Sequence, residues 1–76
     1  MTADEAARAF RDYFEAGSLG DYGSFYTTLL KAYAIADGVN RYKLSQAFPE
    51  IAEGYRAAFY GFSCVEDYEA SQEQTV

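Results

Sequence analysis

An all-α fold follows from three observations on this sequence. Apolar residues recur at helical spacing in successive segments. No β-type alternation runs long enough to make a strand. Capping and stop signals punctuate the segments where one helix should give way to the next. Together they predict a compact bundle of three longer helices and one short helix over residues 1–64. An acidic, disordered tail is expected over residues 65–76.

The first helix is expected from Ala3 to Ala16. Thr2 and Glu5 have capping-box spacing, in which hydroxyl and carboxylate each satisfy an orphan amide. Ala3, Ala6, Phe10, Tyr13 and Phe14 share one face; Asp4, Arg8, Arg11, Asp12 and Glu15 share the other. Gly17 is the stop. Residues 17–24 form the longest loop. Its three glycines match neither a dinucleotide fingerprint nor a P-loop, so no cofactor is expected there.

The second helix starts at Tyr22 or Ser24, with Asp21 or Ser24 as N-cap, and runs to Ala36. Tyr22, Phe25, Tyr26, Leu29, Leu30, Ala32, Tyr33 and Ala36 cover a wide apolar arc, which predicts a central helix with several neighbours. Ile35 falls on the polar side. Asn40 is the expected N-cap of a short third helix ending at Ala47, with Leu44 and Phe48 facing inward. Pro49 suits the first turn of a fourth helix, since its missing amide proton is not needed there. Glu50 and Glu53 complement the positive end of that helix. Ile51, Ala52, Tyr55, Ala58, Phe59 and Phe62 form its apolar face, and Gly54 permits close packing against another helix. Gly61 or Ser63 ends it. Phe25, Leu29, Tyr33, Leu44, Phe48, Ile51, Tyr55 and Phe59 are the side chains expected to be costliest to truncate.

Composition bounds the chemistry. A chain of 76 residues is near the lower limit of independent folding and usually needs a staple. Cys64 is the only cysteine and there is no histidine, so an intrachain disulfide is excluded and a four-ligand zinc site nearly so. A lone cysteine suits a reducing cytoplasm. No apolar run reaches membrane-spanning length, and the acidic start lacks the features of a secretory signal; a cytoplasmic protein is expected.

The usual general acid–base residue is missing with histidine. Glu50 and Glu53 are explained by a first helical turn. Cys64 has no base to activate it. Glu66, Asp67 and Glu69 lack the spacing of a calcium loop. The expectation is therefore no catalytic residue, no metal site and no enzyme.

Net charge is −6 and unevenly spread. Up to Cys64 there are eight acidic and six basic residues; the tail adds four acids and no base. That balance argues against direct nucleic-acid binding, which needs cationic surface. It permits docking on a basic protein surface.

Eight Tyr and six Phe are the most unusual part of the composition. The Phe residues, with Tyr13, Tyr33 and Tyr55, are assigned to the core. Tyr42, Tyr60 and Tyr68 are left pointing outward, and aromatic residues carry binding hot spots. The candidate partner-binding residues are these three with Asp12, Glu15, Glu53, Glu66, Asp67 and Glu69. A second reading is a homodimeric structural or adaptor domain joined through Ile35, Leu30 and the second helix's arc. A third is a nucleic-acid module using Lys31, Arg41, Tyr42 and Lys43.

Phe25-Tyr26 with Leu29, Ala36-Asp37, Asn40, Leu44 and Phe48-Pro49-Glu50 form the pattern FY-x2-L…AD-x2-N-x3-L-x3-FPE. It resembles small uncharacterised helical proteins of bacteria, phages and mobile elements, over about 30 residues in mid-chain. The resemblance implies a fold and carries over no site residues. In kind only, the chain is similar to acidic phage-encoded inhibitors such as anti-CRISPR proteins. That similarity implies an inhibitor docking carboxylates and tyrosines on the nucleic-acid-binding surface of a host protein or nucleoprotein complex.

Overall fold

Five helices occur among the described residues: α1 Ala3–Ala16, α2 Ser24–Ile35, α3 Gly38–Ala47, α4 Pro49–Phe59 and α5 Val65–Glu73. The computed structural model describes residues 1–73, and no strand occurs among them. The all-α expectation holds, with one helix more than the sequence suggested.

Local chemistry sets the helix ends. The Glu5 amide donates to Thr2 Oγ1 at 3.1 Å and the Thr2 amide to Glu5 Oε1 at 3.0 Å, completing the capping box of α1. The bonds from Thr2 hold the Glu5 carboxyl below its ordinary pKa of 4.5. Gly17 closes α1 at φ 77°, with its amide on the Tyr13 carbonyl. Two caps differ from expectation. The N-cap of α2 is Gly23, at φ 85°, because Asp21 spends its carboxylate on the Gly23 amide in a tight turn. The N-cap of α3 is Asp37, whose carboxylate accepts from the Asn40 amide at 2.8 Å. Asn40 thus lies inside α3, and the helix begins three residues earlier than expected.

The centre of the molecule is the α1–α4 pair, not α2. The two helices meet through small residues: Ala6 and Ala7 on α1, Gly54, Ala57 and Ala58 on α4, all buried. Gly54 permits this approach. A Cβ there would sit 2.5 Å from Ala6 Cβ and 2.7 Å from both the Ala3 carbonyl oxygen and the Ala7 amide nitrogen. Phe10, Leu30 and Ile51 are the largest fully enclosed side chains. Helix α2 joins the pair through rings: Tyr33 lies 5.9 Å from Phe10 and 5.1 Å from Tyr55, and Phe10 meets Tyr55 edge-on at 4.9 Å.

The molecule measures 39 × 26 × 19 Å. Its thin dimension leaves room for no more than about two helix diameters of about 10 Å each, too little interior for fourteen aromatic rings. Of the side chains expected to be costliest to truncate, Leu29, Tyr33 and Ile51 are buried, and Leu44, Phe48 and Tyr55 are half-buried. Phe25 and Phe59 are 60% and 65% exposed, and Phe14 is also on the surface, contrary to the assignment of every Phe to the core.

The tail is helical over Val65–Glu73 rather than disordered. Its first amide, of Val65, donates to Asp4 Oδ1 of α1 at 2.9 Å. Tyr68 stacks on Tyr60 at 5.4 Å and meets Phe62 at 5.9 Å. These contacts, all made outside the tail itself, fix a segment whose composition alone does not. Residues 74–76 of the expected tail lie outside the described residues.

Candidate binding surface

Helix α4 turns its small residues toward α1, which leaves Phe59 on the outside, 65% exposed. Phe59 stands between two clefts. The first, of about 430 Å³, runs between α3 and α4 and is lined by Tyr33, Arg41, Tyr42, Tyr55, Arg56 and Tyr60 beside Phe59. The second, of about 370 Å³, lies toward α1 and is lined by Arg11, Phe14, Glu15 and Tyr55 with Phe59. Ring contacts run unbroken across this face: Phe14 to Tyr55 at 5.5 Å, Tyr55 to Phe59 at 6.5 Å, Phe59 to Tyr60 at 5.4 Å, then Tyr60 to Tyr68 on α5.

Arg41 builds the floor of the first cleft. Its Nε donates to the Tyr33 carbonyl at 3.2 Å, and its Nη2 to the carbonyls of Ala34 and Ala36 at 3.1 and 3.2 Å. The cation thus sits at the negative end of α2 and satisfies carbonyls that the helix leaves open. Its guanidinium also lies over the rings of Tyr33, at 5.4 Å, and Tyr55, at 4.9 Å. Burial raises the Tyr33 phenol above its ordinary pKa, with Arg41 opposing the rise. Among the described residues no carboxylate lines this cleft. In the second, Arg11 pairs with Glu15, and Arg11 Nε is buried without an acceptor among the described residues.

Of the expected site residues, Tyr42 and Tyr60 converge on the first cleft, 66% and 60% exposed. Tyr68 is half-buried beneath Tyr60 rather than free. Glu15 borders the second cleft. Glu66, Asp67 and Glu69 are exposed on α5, the helix that carries Tyr68. Asp12 and Glu53 are exposed but line neither cleft. Phe59 and Phe14 were missed as surface residues. The sequence signal for them is the run of small residues at Gly54, Ala57 and Ala58, which claims the inward face of α4.

The other readings change as well. Leu30 is fully enclosed and cannot contact a second copy, whereas Ile35 is 79% exposed. Lys31, Arg41 and Lys43 do not share a surface. Arg41 is turned onto α2, Lys31 borders a cleft with Tyr13 and Leu19, and Lys43 borders another with Ile35. Cys64 is half-buried, its Sγ 3.9 Å from an Asp4 oxygen. Among the described residues no cluster of three or more Cys, Asp or Glu side chains is placed to hold a metal ion. No described helix is long and apolar enough to cross a membrane. No protein-family model, curated protein or solved structure matches this chain.

Proposed function

We propose that this chain is a non-catalytic binding protein that engages a partner protein through the Phe59 face and acts by occupying the partner's surface. The observation that carries the reading is Phe59 itself, exposed between two clefts and continuous with Tyr42, Tyr60 and two arginines. Aromatic and arginine side chains around a central anchor are what binding hot spots are made of. Glu66, Asp67 and Glu69 extend from the edge of this face along α5. The partner favoured is one that sets an apolar side chain in the clefts and basic groups against α5. A protein with a nucleic-acid-binding surface meets the second condition, and blocking that surface would make this chain an inhibitor.

A photo-crosslinking amino acid at position 60, compared with one at exposed Gln46 on α3, tests this in lysate of the source organism. One dominant adduct from position 60 is expected. Phe59→Ala should remove it by weakening the complex about 30-fold or more, equivalent to about 2 kcal/mol. The same adducts from both positions, or an adduct indifferent to Phe59→Ala, would sink the reading.

A further inference from the structure

A second exposed face lies on α2, away from the Phe59 surface. Only part of the wide apolar arc of α2 turns inward, as Leu29, Leu30 and Tyr33. Tyr22 and Tyr26 are half-buried against the core, while Phe25, whose ring also touches Phe48 at 6.1 Å, stays mostly outside. Phe25, Thr28, Ala32 and Ile35 follow a three-four-three spacing, which puts them within about 80° of one another at about 100° per residue. Phe25 and Ile35 mark the two ends of this strip, about 15 Å apart along the helix. Each is mostly exposed. Two clefts flank the strip and share Ala32. One, of about 550 Å³, is lined by Ser24, Phe25, Thr28, Leu29 and Ala32. The other, of about 380 Å³, is lined by Ala32, Ile35, Ala36, Asn40, Lys43 and Leu44.

We infer that a second copy of this chain covers the strip, as a two-fold dimer with antiparallel α2 helices. The strip is its own complement under that symmetry. In an antiparallel pair whose axis passes beside position 30, facing residues have numbers that add to about 60, by the reciprocity of an isologous contact. Phe25 then faces Ile35 of the other copy, and Thr28 faces Ala32. The Phe25 ring enters the cleft beside Ile35, Ile35 enters the cleft beside Phe25, and small Ala32 and Thr28 let the helices approach where they cross. The facing pairs are thus large with large at the two ends, Phe25 with Ile35, and small with small at the centre, Thr28 with Ala32, and no charged residue lies on the strip itself.

Charge favours the same occupant. The chain carries −6, yet among the described residues no carboxylate lines either cleft, and Lys43 is the one ionic side chain that does. Two copies can therefore meet here without opposing their acids, whereas they cannot through acidic α5. The chain also lacks a disulfide or a metal cluster among its described residues, and self-association is a remaining way for so small a domain to gain stability. The strip is short, so the dimer belongs with weak interfaces, with a dissociation constant of roughly 10–100 µM.

The test is made on the full chain with Cys64→Ser throughout. Sedimentation equilibrium from about 5 to 500 µM should show a reversible monomer–dimer system, and Ile35→Asp should weaken it at least about tenfold. Register is read by oxidation. A mixture of Thr28→Cys and Ala32→Cys chains should form the mixed disulfide several times faster than either variant couples to itself. Phe59→Ala should leave both results unchanged, which separates this dimer from the partner-binding face. A monomer over the whole range overturns the inference and leaves the strip to a different protein. Self-coupling of Thr28→Cys as fast as the mixed reaction overturns the antiparallel register.

Discussion

At the scale of single residues, Gly54 decides how the molecule is built. Glycine inside a helix costs up to about 1 kcal/mol relative to alanine, so an isolated α4 would be strengthened by Gly54→Ala. In the folded chain the added methyl meets Ala6 Cβ at 2.5 Å and two backbone atoms of α1 at 2.7 Å. Backbone cannot rotate away, so the helices must separate along their most extensive contact. Overpacking of this kind costs about 1–3 kcal/mol, which exceeds the propensity gain. Gly54→Ala should therefore lower Tm by several degrees, since 1 kcal/mol moves a domain of this size by about 4–8 °C. Thermal unfolding by circular dichroism checks it, and a raised Tm would refute it. Adding Ala6→Gly should restore only part of the loss, because it relieves one of three contacts. Close packing at Gly54 was legible in the sequence, as was the capping box, because both are read from a few neighbouring residues. Phe59 was not. Its position on an apolar helix face suggested burial, but three small residues on the same helix take the inward direction instead.

Among elements, α5 shows what sequence reading loses. Its composition is acidic, and taken alone it is a poor helix, since isolated helices shorter than about 12 residues are marginal in water. What orders it lies outside the helix, part of it far along the chain. Asp4, 61 positions before Val65, supplies the carboxylate that caps the first turn of α5. Tyr60 and Phe62 supply the surface on which Tyr68 lies. No local pattern encodes a cap delivered by another helix. Asp4 also sits in the first turn of α1, where its charge suits that helix's positive end. One carboxylate thus serves two N-termini. Asp4→Ala should fray α5 at a cost of about 0.5–2 kcal/mol, the range for losing an N-cap. Amide exchange read by NMR should show lost protection concentrated in Val65–Glu73, with Ile51–Ala58 of α4 little changed. Equal loss in both helices would mean that Asp4 acts only through the stability of α1. The same contrast explains α2. Its wide apolar arc predicted a central helix, but one side of the arc meets the α1–α4 pair, and on the other Phe25 and Ile35 stay mostly exposed although the Phe25 ring touches Phe48.

For the whole molecule, the balance of charge sets a further expectation. Twelve acidic residues face six basic ones, yet Arg11–Glu15 is the one ion pair among the described residues. Arg41 spends its charge on carbonyls and rings rather than on a carboxylate. Attraction between opposite charges is therefore a small part of what holds the fold together, while repulsion among the acids is spread over the surface. Salt distinguishes the two by distance. Raising ionic strength from 10 to 100 mM shortens the screening length from about 30 to about 10 Å. That is long compared with the cap contacts near 3 Å, which survive, and short compared with the 39 Å length over which the acids repel. Screening should therefore stabilise the fold by about 0.5 kcal/mol, raising Tm by roughly 2–4 °C. The scan belongs at a fixed concentration of about 5 µM, so that mass action on a dimer does not enter. Neutralising the α5 acids together as Glu66→Gln, Asp67→Asn and Glu69→Gln should remove about half of the salt effect, because the helix holds so large a share of the excess negative charge. A Tm that falls with salt would mean instead that the acids are held in attractive pairs, and the carboxylates of α5 would then be contributing to the fold rather than standing ready for a basic partner.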